Sequence, residues 1–216
     1  MTPTFPRIAP LGDAAVTVTW SERIDPEVEA QVARHLAGLT EKLGPGLELV
    51  AGYSTITVHY DPVRIGYPAL RDTLIPILSH PGEAAAPTSG RLVEIAVWYD
   101  GPDLDAVALQ TGLSVADVVA RHTGPEYRVA LLGFVPGFAY LAQLDPSLVL
   151  PRRPTPRARV PAGSVAIAGA QTGIYPAATP GGWHLIGRTD LRMFDPARNP
   201  PALLAVGDRV RFRAER

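Results

Sequence analysis

The segment LGFVPGFAYL at residues 132–141, continued by RVPAGSVAIAGAQTGIYPAATPGGWHLIGRT at residues 159–189, decides how this chain is read. Glycine and proline are dense across residues 132–189, yet short apolar runs lie between them, such as Val165-Ala166-Ile167-Ala168 and Leu185-Ile186. Glycine serves where a backbone needs positive φ or close approach, and proline where φ must be fixed. Short apolar runs between tight turns predict a rigid, barrel-like β domain. Phe134, Phe138, Tyr140, Tyr175 and Trp183 are spread through the stretch, so its loops can shape a surface or a pocket. On chemistry alone a purely architectural barrel is the plainer reading, because the stretch has no metal cluster and no nucleophile signature.

The bulk of the sequence sets outer limits. Its 216 residues suit one large or two small domains, and 46% hydrophobic content supplies a sizeable core. A formal net charge of -1 argues against a nucleic-acid partner, which would need a basic face. With no cysteine, disulfides, thiolate catalysis and Cys-based metal sites are excluded. No basic-then-apolar leader and no run near the roughly 18 apolar residues of a membrane span is present, so a cytoplasmic location is expected. Lys42 is the only lysine, which removes a GxxxxGK phosphate loop and a Ser-Ser-Lys amidase centre.

Upstream of the decisive stretch the periodicities alternate. Gly12-Asp13 reads as a turn, and Val16, Val18 and Trp20 alternate with Thr17 and Thr19 as a half-buried strand. Asp25-Pro26 opens a helix whose apolar face is Val28, Val32, Leu36, Leu39 and Leu43, and Gly44-Pro45 ends it. His35 neighbours that face as a surface or boundary residue. Strands over residues 47–50 and 55–60 precede a second helix from about Tyr67, with Leu70, Leu74 and Leu78 on one face. Strands, helix, strands, helix predict a ferredoxin-like α+β sandwich. Residues 80–90, HPGEAAAPTSG, read as a linker, which places a domain boundary near residue 86 and gives domains 1–86 and 87–216.

A strand holding Val93, Ile95 and Val97 then completes the first sheet or begins the second domain. Asp103 caps a short helix ending near Gly112, and Ser114 with Asp117 opens another ending near Gly124. The second helix offers Arg121 as its cation, too little for a DNA reader, so the pair reads as a helical lid on the barrel. His122 closes it, where a positive charge would complement the helix dipole. Arg152, Arg153, Arg157 and Arg159 form a cationic run, either a solvated loop or an anion site. Ser164 lacks a GxSxG elbow. Gln171-Thr172-Gly173 presents amide and hydroxyl donors, and Pro180-Gly181-Gly182 turns the chain toward Trp183, as core or pocket wall. Residues 205–212 read as a turn and a terminal strand.

The motif GFxPGFxYL at Gly133 to Leu141, then Arg153, Pro156-Arg157, Val160-Pro161-Ala162-Gly163-Ser164, Gln171 to Pro176, Pro180 to Trp183 and Ile186 to Thr189, carries a resemblance. The sequence resembles the carboxyltransferase-like family that holds the B subunit of 5-oxoprolinase, allophanate hydrolase subunit 1 and the kinase inhibitor KipI. The resemblance implies an α+β protein with a ferredoxin-like N-terminal domain and a cyclophilin-like C-terminal β-barrel. It also implies a share in ATP-dependent opening of 5-oxoproline to glutamate, with ATP and Mg used by a complex that includes the A and C subunits of 5-oxoprolinase. The lactam oxygen would be phosphorylated and water would attack the activated carbonyl. That family also has a histidine at the position of His122. On this resemblance His122, Arg157, Gln171 and Arg188 are the expected catalytic residues. Phe134, Pro136, Gly137, Phe138, Tyr140, Gly163, Ser164, Thr172, Tyr175, Gly182 and Trp183 are the expected substrate-binding ones. A KipI-like regulatory module and an allophanate hydrolase component are the alternative expectations.

Overall fold

The structure, a computed structural model, describes residues 6–22, 26–79 and 90–215. The chain divides into two compact units, Met1–Thr88 and Ser89–Arg216. The expected boundary near residue 86, nearly all of the expected linker and the expected cap Asp25 lie outside the described residues.

In the first unit, β1 (Arg7–Pro10) and β2 (Ala15–Thr19) form a hairpin. Then follow α1 (Pro26–Leu43), β3 (Glu48–Ala51), β4 (Thr55–His59) and α2 (Tyr67–Ser79). The antiparallel sheet runs β1-β2-β4-β3, so α1 crosses from β2 to β3 with β4 inserted between them, a split βαβ unit. A ferredoxin-like sheet carries the strand after its second helix on the edge beside the first; here β1 takes that edge. Alternation along β2 and β4 sends Val16, Val18, Ile56 and Val58 to one face, where Val32 and Leu39 of α1 and Leu70, Leu74 and Leu78 of α2 cover them. His35, expected at a boundary, is instead buried with Nδ1 2.8 Å from the Gln31 carbonyl oxygen.

The second unit contains β5 (Leu92–Val97), α3 (Leu104–Thr111), α4 (Val115–Thr123), β6 (Tyr127–Leu132) and β7 (Ala139–Ala142). It continues with β8 (Arg157–Val160), β9 (Ser164–Ala168), β10 (Gln171–Ile174), β11 (Thr179–Gly181), β12 (His184–Arg188) and β13 (Arg209–Ala214). Seven strands form one sheet in the order β12-β9-β10-β7-β6-β13-β5. Its two ends meet where the Trp98 and Arg188 backbones exchange hydrogen bonds of 2.9 Å each, so the sheet is a nearly closed barrel. The strand holding Val93, Ile95 and Val97 belongs to this unit, because β5 pairs in parallel with β13 over six residues. α4 begins as expected, with Ser114 Oγ accepting from the Asp117 N–H at 3.1 Å.

β9 explains how a pocket arises on this wall. Its unbroken apolar run is buried on both faces, as expected for a strand with no solvent side. Val165 and Ile167 fill the barrel interior with Tyr127, Leu141, Ile186 and Phe212. The small residues Ala166 and Ala168 face the other way, into a second cluster with Phe138, Tyr175, Trp183 and Leu185. Small side chains on that face leave room for rings, and the separate β8–β11 ribbon lies over them. Among the described residues, no helix is long and apolar enough to cross a membrane.

Candidate functional site

The aromatic cluster opens into a pocket of about 250 Å³. Phe138 is its hub. The ring lies edge-on to Phe134, Tyr140, Tyr175 and Trp183, with centroid distances of 5.6, 4.8, 5.3 and 5.5 Å. Such T-shaped contacts suit the ring quadrupoles and fix the walls. Pro156, Pro180, Gly181, Gly182 and Arg152 complete the lining. The Tyr175 hydroxyl accepts from the Trp183 backbone N–H. Burial raises the Tyr140 and Tyr175 phenols above their ordinary value, so both stay protonated near neutrality.

The loop ahead of β7 shapes the mouth. Phe134 has φ 69°, and the Val135 N–H donates to the Gly133 carbonyl oxygen at 2.9 Å, a γ-turn centred on Phe134. A bulky residue rarely holds positive φ, and here it presents a ring that is 59% exposed at the pocket edge. Pro136 and Gly137 sit in the same turn, which the Phe138 N–H closes onto the Val135 carbonyl at 3.0 Å. They shape the loop and do not line the pocket.

Of the residues expected to bind substrate, Phe134, Phe138, Tyr140, Tyr175, Gly182 and Trp183 therefore come together. Gly163, Ser164 and Thr172 do not. Gly163 has φ 80°, and a Cβ there would lie 2.3 Å from the Thr189 carbonyl oxygen, so it serves close backbone approach. Ser164 is buried in β9 and Thr172 in β10.

The residues expected to be catalytic scatter. His122 is wholly buried and stacks on Phe212 at 4.6 Å between ring centroids. Thr172 Oγ1 donates to the Ala166 carbonyl at 3.0 Å, so it accepts from His122 Nε2 at 2.8 Å. That leaves Nδ1 to accept from the Tyr99 hydroxyl at 2.7 Å. Burial pushes the imidazole down to about 3, and the neutral ring is satisfied at both nitrogens. Both ring nitrogens are thus taken up by Tyr99 and Thr172, and His122 is not among the residues that line the aromatic pocket. Gln171 lies half-buried at the start of β10, outside the pocket lining. Arg188 turns to Asp100 at 2.9 Å and over the Trp98 ring at 5.0 Å.

Arg157 is held by Asp103. Its two terminal nitrogens donate to the two carboxylate oxygens at 2.8 Å each. Arg153 adds a contact of 2.6 Å, and the Leu185 N–H one of 2.7 Å. Asp103 does precede α3 as expected, but its side chain makes no cap hydrogen bond and ties the arginine loop to β12 instead. Burial alone would raise its carboxyl; the hydrogen bonds and charges of Arg157, Leu185 N–H and Arg153 outweigh that and hold it below the usual carboxylate range. Arg152, Pro156, Pro180 and Gly181 are pocket residues that sequence reasoning left out; the cationic run was the signal for Arg152. Among the described residues, no cluster of three His, Asp or Glu side chains is arranged to hold a metal.

The pattern of the carboxyltransferase domain, subdomain C and D, matches residues 6–204. The chain belongs to that family. It is 40% identical over 220 residues to the B subunit of 5-oxoprolinase from Bacillus subtilis, covering 95% of this chain and 91% of that relative. Identity reaches 57% over 133 residues with the B subunit of 5-oxoprolinase from Escherichia coli O157:H7, covering 60% of this chain and 61% of that relative. Among solved structures, TTHA0988 is 41% identical with a TM-score of 0.81 over 94% of this chain. This chain spans 40% of the TTHA0988 chain, so it corresponds to a part of that protein.

Proposed function

We propose that this chain is the B subunit of an ATP-dependent 5-oxoprolinase, acting with the companion A and C subunits to hydrolyse 5-oxoproline to glutamate. The observation that carries the reading is convergence. Residues 133–141 and 175–183, far apart in sequence, build one aromatic pocket on the barrel of a chain whose near-full-length relatives bear that name. The pocket suits a small ring. Its aromatic faces give apolar contact and its rim gives one cation.

The chemistry consumes ATP and water. ATP transfers its terminal phosphoryl group to the lactam oxygen and leaves as ADP, which makes the ring carbon electrophilic. Water adds there, and the ring C–N bond breaks with a proton going to the nitrogen. A second water then displaces phosphate from the resulting acyl phosphate to give glutamate. In this proposal the chain binds and orients the lactam and shields it from bulk water. One arginine among aromatic walls suits a singly charged group better than a triphosphate, so ATP, with its Mg, is assigned to the complex and not to this pocket. The chain is inactive alone on this reading, because the pocket brings no nucleophile and His122 is buried away from it.

The test is glutamate release from 5-oxoproline and ATP. Release only when this chain is mixed with the A and C subunits supports the proposal. An assembled mixture that releases no glutamate sinks it and favours a regulatory module.

A further inference from the structure

The four arginines of the cationic run have unequal fates. Arg153 and Arg157 are spent on Asp103. Arg152 makes no ion pair among the described residues, is exposed, and lines the aromatic pocket. Its positive charge is felt at both the Tyr140 and the Tyr175 hydroxyls. The neighbouring backbone is pinned on each side. The Pro151 carbonyl accepts from His184 Nε2 at 2.9 Å, and the Arg153 N–H donates to the Gly182 carbonyl at 2.8 Å. A free guanidinium is thus carried on a fixed point of chain, over a fixed aromatic wall.

A cation without a partner beside an apolar pocket is complementary to a ligand with one anionic end and a flat apolar body. Guanidinium binds carboxylate side-on through two N–H donors, and Phe138 and Trp183 supply faces and edges for a ring. The rim has a single such arginine, which matches one negative charge. We propose that this pocket recognises a small cyclic monocarboxylate, with Arg152 as the residue that binds its carboxylate. The class of ligand rests on the pocket alone; naming 5-oxoproline as the ligand rests on the function proposed above.

The experiment is calorimetric titration of the full-length chain with 5-oxoproline and with 2-pyrrolidone, which keeps the lactam ring and lacks the carboxylate. Arg152→Gln is compared with wild type after equal melting temperatures establish that both are folded. The expected result is saturable binding of 5-oxoproline, weakened about 10- to 100-fold in Arg152→Gln, the loss of one charge-assisted contact. 2-Pyrrolidone should bind weakly and equally to both proteins. Unchanged 5-oxoproline affinity in Arg152→Gln, or no saturable binding to wild type, overturns the proposal. Carboxylate-dependent binding in a complex that releases no glutamate would instead sink the 5-oxoprolinase reading and leave this one standing. Glutamate release with no role for Arg152 in binding would do the reverse.

Discussion

Asp103 and Arg157 meet in a two-pronged ion pair, with both carboxylate oxygens 2.8 Å from the two terminal guanidinium nitrogens. The pair joins residues 54 apart in sequence and bolts the loop bearing Arg152 and Pro156 to the barrel wall at Leu185. Asp103 is nearly fully buried, whereas Arg153 and Arg157 keep part of their side chains in water. Removing the carboxylate strands the Leu185 N–H and leaves two guanidinium groups near each other. Asp103→Ala should therefore cost roughly 2–3 kcal/mol, read from urea unfolding at pH 7, and Asp103→Asn less, because it keeps one acceptor.

The acid limb of stability should have two parts. His122 has a folded value of about 3 against an ordinary 6.5, so the unfolded chain takes up its proton first. Stability is full above about pH 6.5 and falls as pH drops from there toward 3. Asp103 is held below its ordinary value, so its contribution is present above about pH 4 and is lost below that, as pH falls through the lowered value. Unfolding followed from pH 8 to pH 3 should show both. His122→Leu should flatten the upper part while lowering stability at pH 8 by about 1–3 kcal/mol, since Tyr99 loses its acceptor. Turnover per folded molecule in the assembled complex should survive that substitution.

Local pattern and long-range contact divide what the sequence disclosed from what it hid. Leu70, Leu74 and Leu78, at fourfold spacing, are all buried on one face of α2, and Val16 and Val18 are buried by strict alternation. The aromatics of the pocket were legible because tight turns and rings recur together in one stretch. Asp103 was legible only as a helix cap, because its partners lie 50 and 54 residues away. For the same reason the cationic run could be read only as a whole, as solvated loop or anion site, and the resemblance that put Arg157 forward did not disclose that Asp103 holds it. The membership of β5 was equally hidden, since its parallel partner β13 begins over a hundred residues later.

Gly181 should be a sensitive pocket position. A Cβ there would lie 2.3 Å from the Tyr175 hydroxyl and 2.9 Å from the carbon that bears it. Tyr175 is buried against Phe138 and its hydroxyl is held by the Trp183 N–H, so the ring has little room to yield. Gly181→Ala should cost about 1–3 kcal/mol by overpacking and abolish detectable 5-oxoproline binding in calorimetry. A variant of ordinary stability and affinity would show that the Tyr175 ring is free to move.

Phe134 sets stability against function. Its left-handed backbone costs a non-glycine residue roughly 1–2 kcal/mol, and its ring is more than half exposed, so it gives little burial in return. Phe134→Gly removes the backbone cost but adds freedom to the unfolded chain, an opposing effect of about 0.5–1 kcal/mol. The two nearly cancel once the edge contact to Phe138 is also lost. Unfolding free energy should thus move by less than about 1 kcal/mol. Ligand affinity and glutamate release should fall at least tenfold, because the ring walls the pocket mouth. A parallel collapse of stability would mean that Phe134 is held for packing and not for the pocket, and the γ-turn would then need another explanation.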